Sequence, residues 1–171
     1  AKGLGGELIT LESPNAGMIS IGAQGGRSWN GALYVATPQL LRAFGITTSE
    51  IDPNADILSS RPGLSGVSGL VLNYGSGGQS ANGPDAPGDK VLRHPVIQEI
   101  GALPTGTSAP NTVITEHAMQ KFHISETTTD WIVQGTQPFT ATQTSGAELA
   151  ASTSQLSLEA KNDQPTSFAV I

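Results

Sequence analysis

Residues 37–46 read TPQLLRAFGI and residues 115–124 read TEHAMQKFHI, two ungapped copies of one pattern at an offset of 78 positions (115 − 37). Thr, Phe and Ile coincide, Leu41 matches Met119 in kind, and Arg42 matches Gln120. Each copy follows a Val-containing, strand-like stretch (GALYVA and NTVI), and Asp52 and Asp130 hold the same offset ahead of another such stretch. A unit used twice constrains the chain to a fold that accommodates the same strand-then-helix piece in two places.

Within each copy the apolar residues fall at i, i+1 and i+4: Leu40, Leu41, Phe44 and Ala118, Met119, Phe122. That spacing is one face of a two-turn helix. Thr37 is an N-cap, Pro38 suits the first helical position and Gly45 the helix end. If Gly45 and His123 are the left-handed residues just past their helices, Ile46 and Ile124 fold back onto Leu41 and Met119. Histidine is among the few non-glycine residues enriched at positive φ.

The second copy also gathers Glu116, His117 and His123. Six residues separate the histidines, which sets them about 240° apart around a helix. A zinc-protease helix needs His at i and i+4 with Glu between them. The first copy has neither His nor Glu at the matching sites, so the segment reads as a capped packing helix, with no metal or catalytic centre expected.

Other motifs stop short of chemistry. Asp52, Asn54 and Asp56 share the alternate spacing that opens a calcium loop, but the sixth and twelfth positions hold Ile57 and Gly63 where Gly and Glu are required. A Pro-containing turn is the simpler reading. GLGG and GSGGQS lack the Lys of a phosphate loop, and GLSGVSG breaks the nucleophile-elbow pattern. His94, before Pro95, reads as a surface or edge residue. No cofactor is expected. A formal charge of −6 with 5% aromatic residues leaves neither a basic patch nor a stacking platform, so nucleic acid is excluded as a partner. The absence of Cys removes disulfides, thiolate zinc sites and thiol catalysis.

The fold class expected is α+β, with mixed sheets, short capped helices and βαβ units in the C-terminal third. Strands are read in 8–21 around a turn at SPNAG, in GALYVA, ADILSS and GLVLNYG, in KVLRHPVIQEIGAL with Pro95 marking an edge or a break, and in TVI, DWIVQG and LSLEA. Thr140 and Gln143 form a capping box that opens a helix over 141–153. Residues 75–90 mix Gly, Ser, Asn and Pro without periodicity and read as a mobile loop. Two subdomains are anticipated, a βαβ-rich one of about 30–60 with 110–171, and a variable one, rich in strand and loop, of about 61–109. The ends read as those of a piece excised from a longer chain, and no run reaches the ~18 apolar residues of a membrane span.

With these segments assigned, GALYVATPQLLRAFGI and NTVITEHAMQKFHI resemble the strand-plus-helix pieces in the extracytoplasmic domain of FtsX-like, or MacB-like, ABC transporter permeases of the actinobacterial type. The likeness extends more loosely over ADILSSRPG and from ALPTGTSAPNTVIT to DWIVQG, about half the chain, and consists of hydrophobic frames. It implies a non-enzymatic domain on the outer face of the cytoplasmic membrane, inserted between two membrane helices of its own chain. A separate cytoplasmic subunit would hydrolyse ATP. Extracellular protein or lipid partners and a homodimeric transporter follow from the same resemblance. The rival reading is a secreted module that binds polysaccharide or peptide. A weaker third is a hydrolase on a carboxylate pair drawn from Glu99, Glu116 and Asp130, which requires two carboxyls facing across a pocket with at least one pKa raised.

Overall fold

The structure, a computed structural model, describes residues 7–14, 20–23, 27–30, 32–64, 66–72, 90–105, 110–154, 156, 158–161 and 168–170, with the backbone alone at 20–23, 27–30, 159–161 and 168–170. The turn at 15–19, residues 75–89 of the Gly-rich loop, Tyr74 and the Trp29 side chain lie outside the described residues. In chain order the elements are β1 (Glu7–Pro14), β2 (Ser20–Ala23), β3 (Arg27–Asn30), β4 (Tyr34–Val35), α1 (Pro38–Ala43), β5 (Ile57–Ser59), β6 (Gly69–Leu72), β7 (Lys90–Arg93), β8 (Ile97–Glu99), β9 (Thr112–Ile114), α2 (Glu116–Lys121), β10 (Glu126–Gln134), α3 (Ala141–Thr153), β11 (Glu159–Lys161) and β12 (Phe168–Val170). A 3-10 turn at Thr48–Glu50 follows α1. The chain is an α+β protein, and its described residues form three four-stranded sheets, ordered β1-β10-β12-β11, β3-β2-β6-β7 and β4-β9-β5-β8.

The chain divides into two compact units, one of residues 1–11 and 128–171 and one of 12–127. The cuts at 11/12 and 127/128 group 61–109 with 30–60 and 110–127, and group the C-terminal segment with the start of the first strand. Each unit has its own core. In the larger one Leu33, Val35, Ile57, Leu70, Leu72, Leu92, Ile114, Ala118 and Met119 pack together, with Phe122 and Ile124 against them. In the smaller one Val133 and Phe139 pack with Ala147 and Leu158.

Both repeat copies are built as the pattern predicts. Thr37 Oγ1 accepts the Leu40 N–H (3.2 Å) and Thr115 Oγ1 accepts the Ala118 N–H (3.1 Å). Gly45 and His123 adopt φ of 70° and 51°. The N–H of Ile46 donates to the Leu41 carbonyl, and that of Ile124 to Met119, each at 2.9 Å. The preceding N–H groups, of Gly45 and His123, donate to Arg42 and Gln120, which completes a Schellman motif twice. The strands that feed the two helices lie side by side: β4 pairs with β9 in parallel, Tyr34 opposite Val113 and Val35 opposite Ile114. The two copies therefore leave one sheet in the same direction.

His123 is exposed and occupies a conformation that glycine adopts without a steric penalty. His123→Gly is expected to raise stability by about 0.5–1 kcal/mol, read as a higher urea midpoint at unchanged slope. Gly45→His should lower it by a similar amount.

The C-terminal segment follows the expected order of strand, helix, strand, helix, strand, with β12 added. β9 and β10 lie in different sheets, so α2 does not bridge a βαβ crossover. β10 and β11 are parallel to one another with β12 between them, each antiparallel to it, so β10-α3-β11 is a βαβ unit split by a later strand. α3 begins on the predicted capping box: the Gln143 N–H donates to Thr140 Oγ1 (3.2 Å) and the Thr140 N–H to Gln143 Oε1 (2.9 Å). Between β10 and α3, a Cβ on Gly135 would lie 2.8 Å from the Phe139 ring and 2.9 Å from the Gln137 carbonyl oxygen. Because one neighbour is backbone and the other a buried ring, Gly135→Ala is expected to cost about 1–3 kcal/mol in thermal or urea unfolding.

Candidate functional site

The most concentrated charge chemistry lies at the start of β5. Asp56 is fully buried, with 0% relative exposure. Its N–H donates to the Val96 carbonyl and its Oδ2 accepts the Val96 N–H, both at 2.8 Å, so the residue is joined reciprocally to the chain entering β8. Lys121 Nζ donates to both carboxylate oxygens, at 3.0 and 2.9 Å. His117 Nε2 stands 3.8 Å from Oδ1. His117 and Lys121 are four residues apart on α2 and so share a face. Thr115 fixes the start of that helix from below, with its N–H on the Asp56 carbonyl (3.0 Å) and its hydroxyl donating to the Ala55 carbonyl (2.6 Å). The Lys121 ammonium also lies 4.8 Å from the Phe122 ring centroid.

This arrangement is specific to the second copy. At the positions of His117 and Lys121 the first copy carries Gln39 and Ala43. With its oxygens engaged and no surface exposed, the Asp56 carboxylate has no access to a reactant, and its chemistry is that of a clamp between α2, β5 and the entry to β8. The i, i+4 pair of His117 and Lys121 on α2, absent from α1, was the available sequence sign of it.

The residues singled out from sequence do not converge. His123 is exposed beyond the helix end, with its carbonyl accepting Lys90 Nζ (3.3 Å), while His117 faces Asp56. Among the described residues no group of three His, Cys, Asp or Glu side chains could hold a metal ion. His94 is exposed with φ of 48°, at the break between β7 and β8. Asp52 closes an Asx turn, its Oδ1 accepting the Asn54 N–H (2.8 Å), and Gln98 clasps that turn through the Asp52 N–H (2.8 Å) and the Glu50 carbonyl (2.6 Å). Asp52 is exposed and Asp56 buried, so the calcium-like spacing does not direct its carboxylates to one place.

Of the three carboxylates proposed for hydrolysis, Glu99 accepts the Gly63 N–H (3.1 Å), Glu116 is exposed on the first turn of α2, and Asp130 is half-buried on β10. Among the described residues the carboxyl with a raised pKa is instead Glu12, which the sequence did not mark. Desolvation raises it most, followed by the negative charges of Glu126 and Glu116. A folded-state value above the unfolded one means that ionised Glu12 opposes folding, and this penalty fades as pH falls through the raised value. Glu12→Gln is therefore expected to stabilise the protein at neutral pH by about a few tenths of a kcal/mol, since the site is partly solvated, and to lose that advantage in acid. Urea titrations across that range measure it.

A second polar network occupies the other end of β5. Ser59 and Thr112, both buried, share a hydroxyl hydrogen bond of 2.9 Å across the β5-β9 pair. Thr112 Oγ1 donates to Asn111 Oδ1 (3.1 Å), which also accepts Arg61 Nε (3.3 Å). The Arg61 N–H donates to Ser59 Oγ (3.1 Å), and Ser60 Oγ donates to the Pro104 carbonyl (2.6 Å). Sequence reading missed this group because Ser, Thr and Asn carry no local mark of whether they are solvated or buried.

No protein-family model matches the chain, and no curated protein or solved structure matches it either.

Proposed function

We propose that this chain is the extracytoplasmic domain of an ABC transporter permease, in which motion of the membrane helices is coupled to contact with a partner or substrate outside the cell. The observation that supports it is the placement of the first and last described strands in one sheet. The first and last described strands, β1 and β12, are the two neighbours of β10 in one sheet. A domain inserted between two membrane helices must return its chain close to where it left, and two strands that flank a common neighbour lie about 10 Å apart. The paired strand-helix copies supply a rigid body, bolted by the Asp56 clamp, that can be displaced as a unit. On this reading the domain is not itself an enzyme, ATP is hydrolysed by a separate cytoplasmic subunit, and two copies act in the transporter.

The chain contains no Cys, so a cysteine introduced into it is the only one in this segment, and the parent protein without it serves as the labelling control. In cells expressing the full-length protein, a cysteine at the exposed position of Glu148 should react with a membrane-impermeant maleimide before lysis, and the labelled protein should fractionate with membranes. Labelling only after lysis would refute an outer-face domain. Labelled protein in the medium, released from membranes, would favour the secreted binding module.

A further inference from the structure

We propose that the C-terminal end of β5 is a receptor for a carboxylate group, anchored by Arg61. The guanidinium is held at one edge only: Nε donates to Asn111 Oδ1 at 3.3 Å. Among the described residues, nothing pairs with its two outer nitrogens, and no carboxylate lies in ion-pair contact with it. Arg42, Lys90 and Arg93 likewise have no carboxylate within ion-pair distance among the described residues, but of these arginines only Arg61 is half-buried and held through Nε by a buried side chain. A half-buried cation without a counter-ion bears a desolvation cost that a neutral donor to Asn111 would avoid.

The support beneath Arg61 is rigid. Asn111 is 4% exposed, Thr112 1% and Ser59 0%. Asn111 Oδ1 is fixed by the Thr112 hydroxyl, and the Arg61 backbone by the Ser59 hydroxyl. After Arg61 the chain turns through Gly63 at φ 79°, whose N–H is tied to Glu99. A guanidinium pinned at Nε presents its outer pair of nitrogens as a planar fork, which matches the two oxygens of a carboxylate. Glu99, on the neighbouring strand and bonded two residues beyond Arg61, sets the charge class. Its negative field opposes a dianion more than a monoanion, so a carboxylate is favoured over phosphate. The proposal does not rest on the transporter reading.

The carboxylate can belong to a small organic acid or to the C-terminus of a polypeptide, and the probes separate these sources. Acetate is titrated into the ¹⁵N-labelled protein at constant ionic strength, against chloride and phosphate controls, with the Arg61 Nε–H and Asn111 side-chain signals followed. A saturable millimolar shift is expected, lost in Arg61→Lys, which keeps the charge and removes the fork. Glu99→Gln, which can still accept the Gly63 N–H, should tighten acetate binding several-fold. A short peptide that binds more tightly than acetate, and no longer does so once its C-terminus is amidated, identifies the polypeptide source. Peptide binding no tighter than acetate identifies the small acid. The proposal is overturned if acetate gives no shift beyond chloride, if Arg61→Lys leaves the shift intact, if phosphate binds more tightly than acetate, or if Glu99→Gln leaves affinity unchanged.

Discussion

Replacing Lys121 with Met is expected to destabilise the protein by about 2–3 kcal/mol, and more than Asp56→Asn does, although both changes break the same ion pair. The asymmetry follows from exposure. The Asp56 side chain is wholly buried, while the Lys121 side chain retains 40% of its surface. Without Lys121, a carboxylate with no access to water keeps only the Val96 N–H and a His117 nitrogen at 3.8 Å. Without the Asp56 charge, Lys121 can turn outward into solvent and Asn still accepts the Val96 N–H, so Asp56→Asn should cost about 1–2 kcal/mol. Losing one partner of a buried pair usually costs about 3–5 kcal/mol, and the lower figure for Lys121 reflects its solvated end. The double variant should be less destabilised than the sum of the two singles. Urea unfolding of all four proteins measures this cycle. Equal costs, or Asp56→Asn as the worse change, would show that the clamp is not governed by the stranded charge.

The two capping threonines form a matched pair of tests. Thr115→Val should cost about 2–3 kcal/mol and Thr37→Val about 1 kcal/mol, in equilibrium unfolding. Each hydroxyl accepts one N–H of its helix. Only that of Thr115 also donates to another segment, reaching the Ala55 carbonyl at 2.6 Å, and it is 7% exposed where Thr37 is half-buried. Valine keeps the shape, removes both bonds and strands two buried backbone groups at position 115. Similar costs at the two sites would mean that the threonines serve only their own helices.

Local patterns were legible because their causes lie within a few residues. Thr37, Thr115 and Thr140 announced their caps, Gly45 and His123 the helix ends, and the Thr140-Gln143 box set the start of α3 where it is found. The Asx turn at Asp52 and the strand break at Pro95 are of the same kind. The sequence did not separate Asp56 from Asp52, since its partner Lys121 is 65 residues away and burial leaves no local mark. Sheet membership was hidden for the same reason: β9, α2 and β10 read as a βαβ unit until pairing assigns the strands to different sheets. Nothing in the sequence marked Arg61, because Asn111, which holds its side chain, is 50 residues away.

Every pairing in the β4-β9-β5-β8 sheet joins segments distant in sequence. Tyr34 meets Val113, Ile57 meets Ile114 and Ile57 meets Ile97, so forty or more residues separate each pair, and none is closed by a hairpin. Such contacts incur loop-closure entropy before they repay it, which slows folding. β9 is the shared neighbour of β4 and β5, and it arrives late in synthesis. A nascent chain halted before residue 112 therefore has no means of holding those two strands together, and during that interval its apolar segments are open to chaperones and proteases.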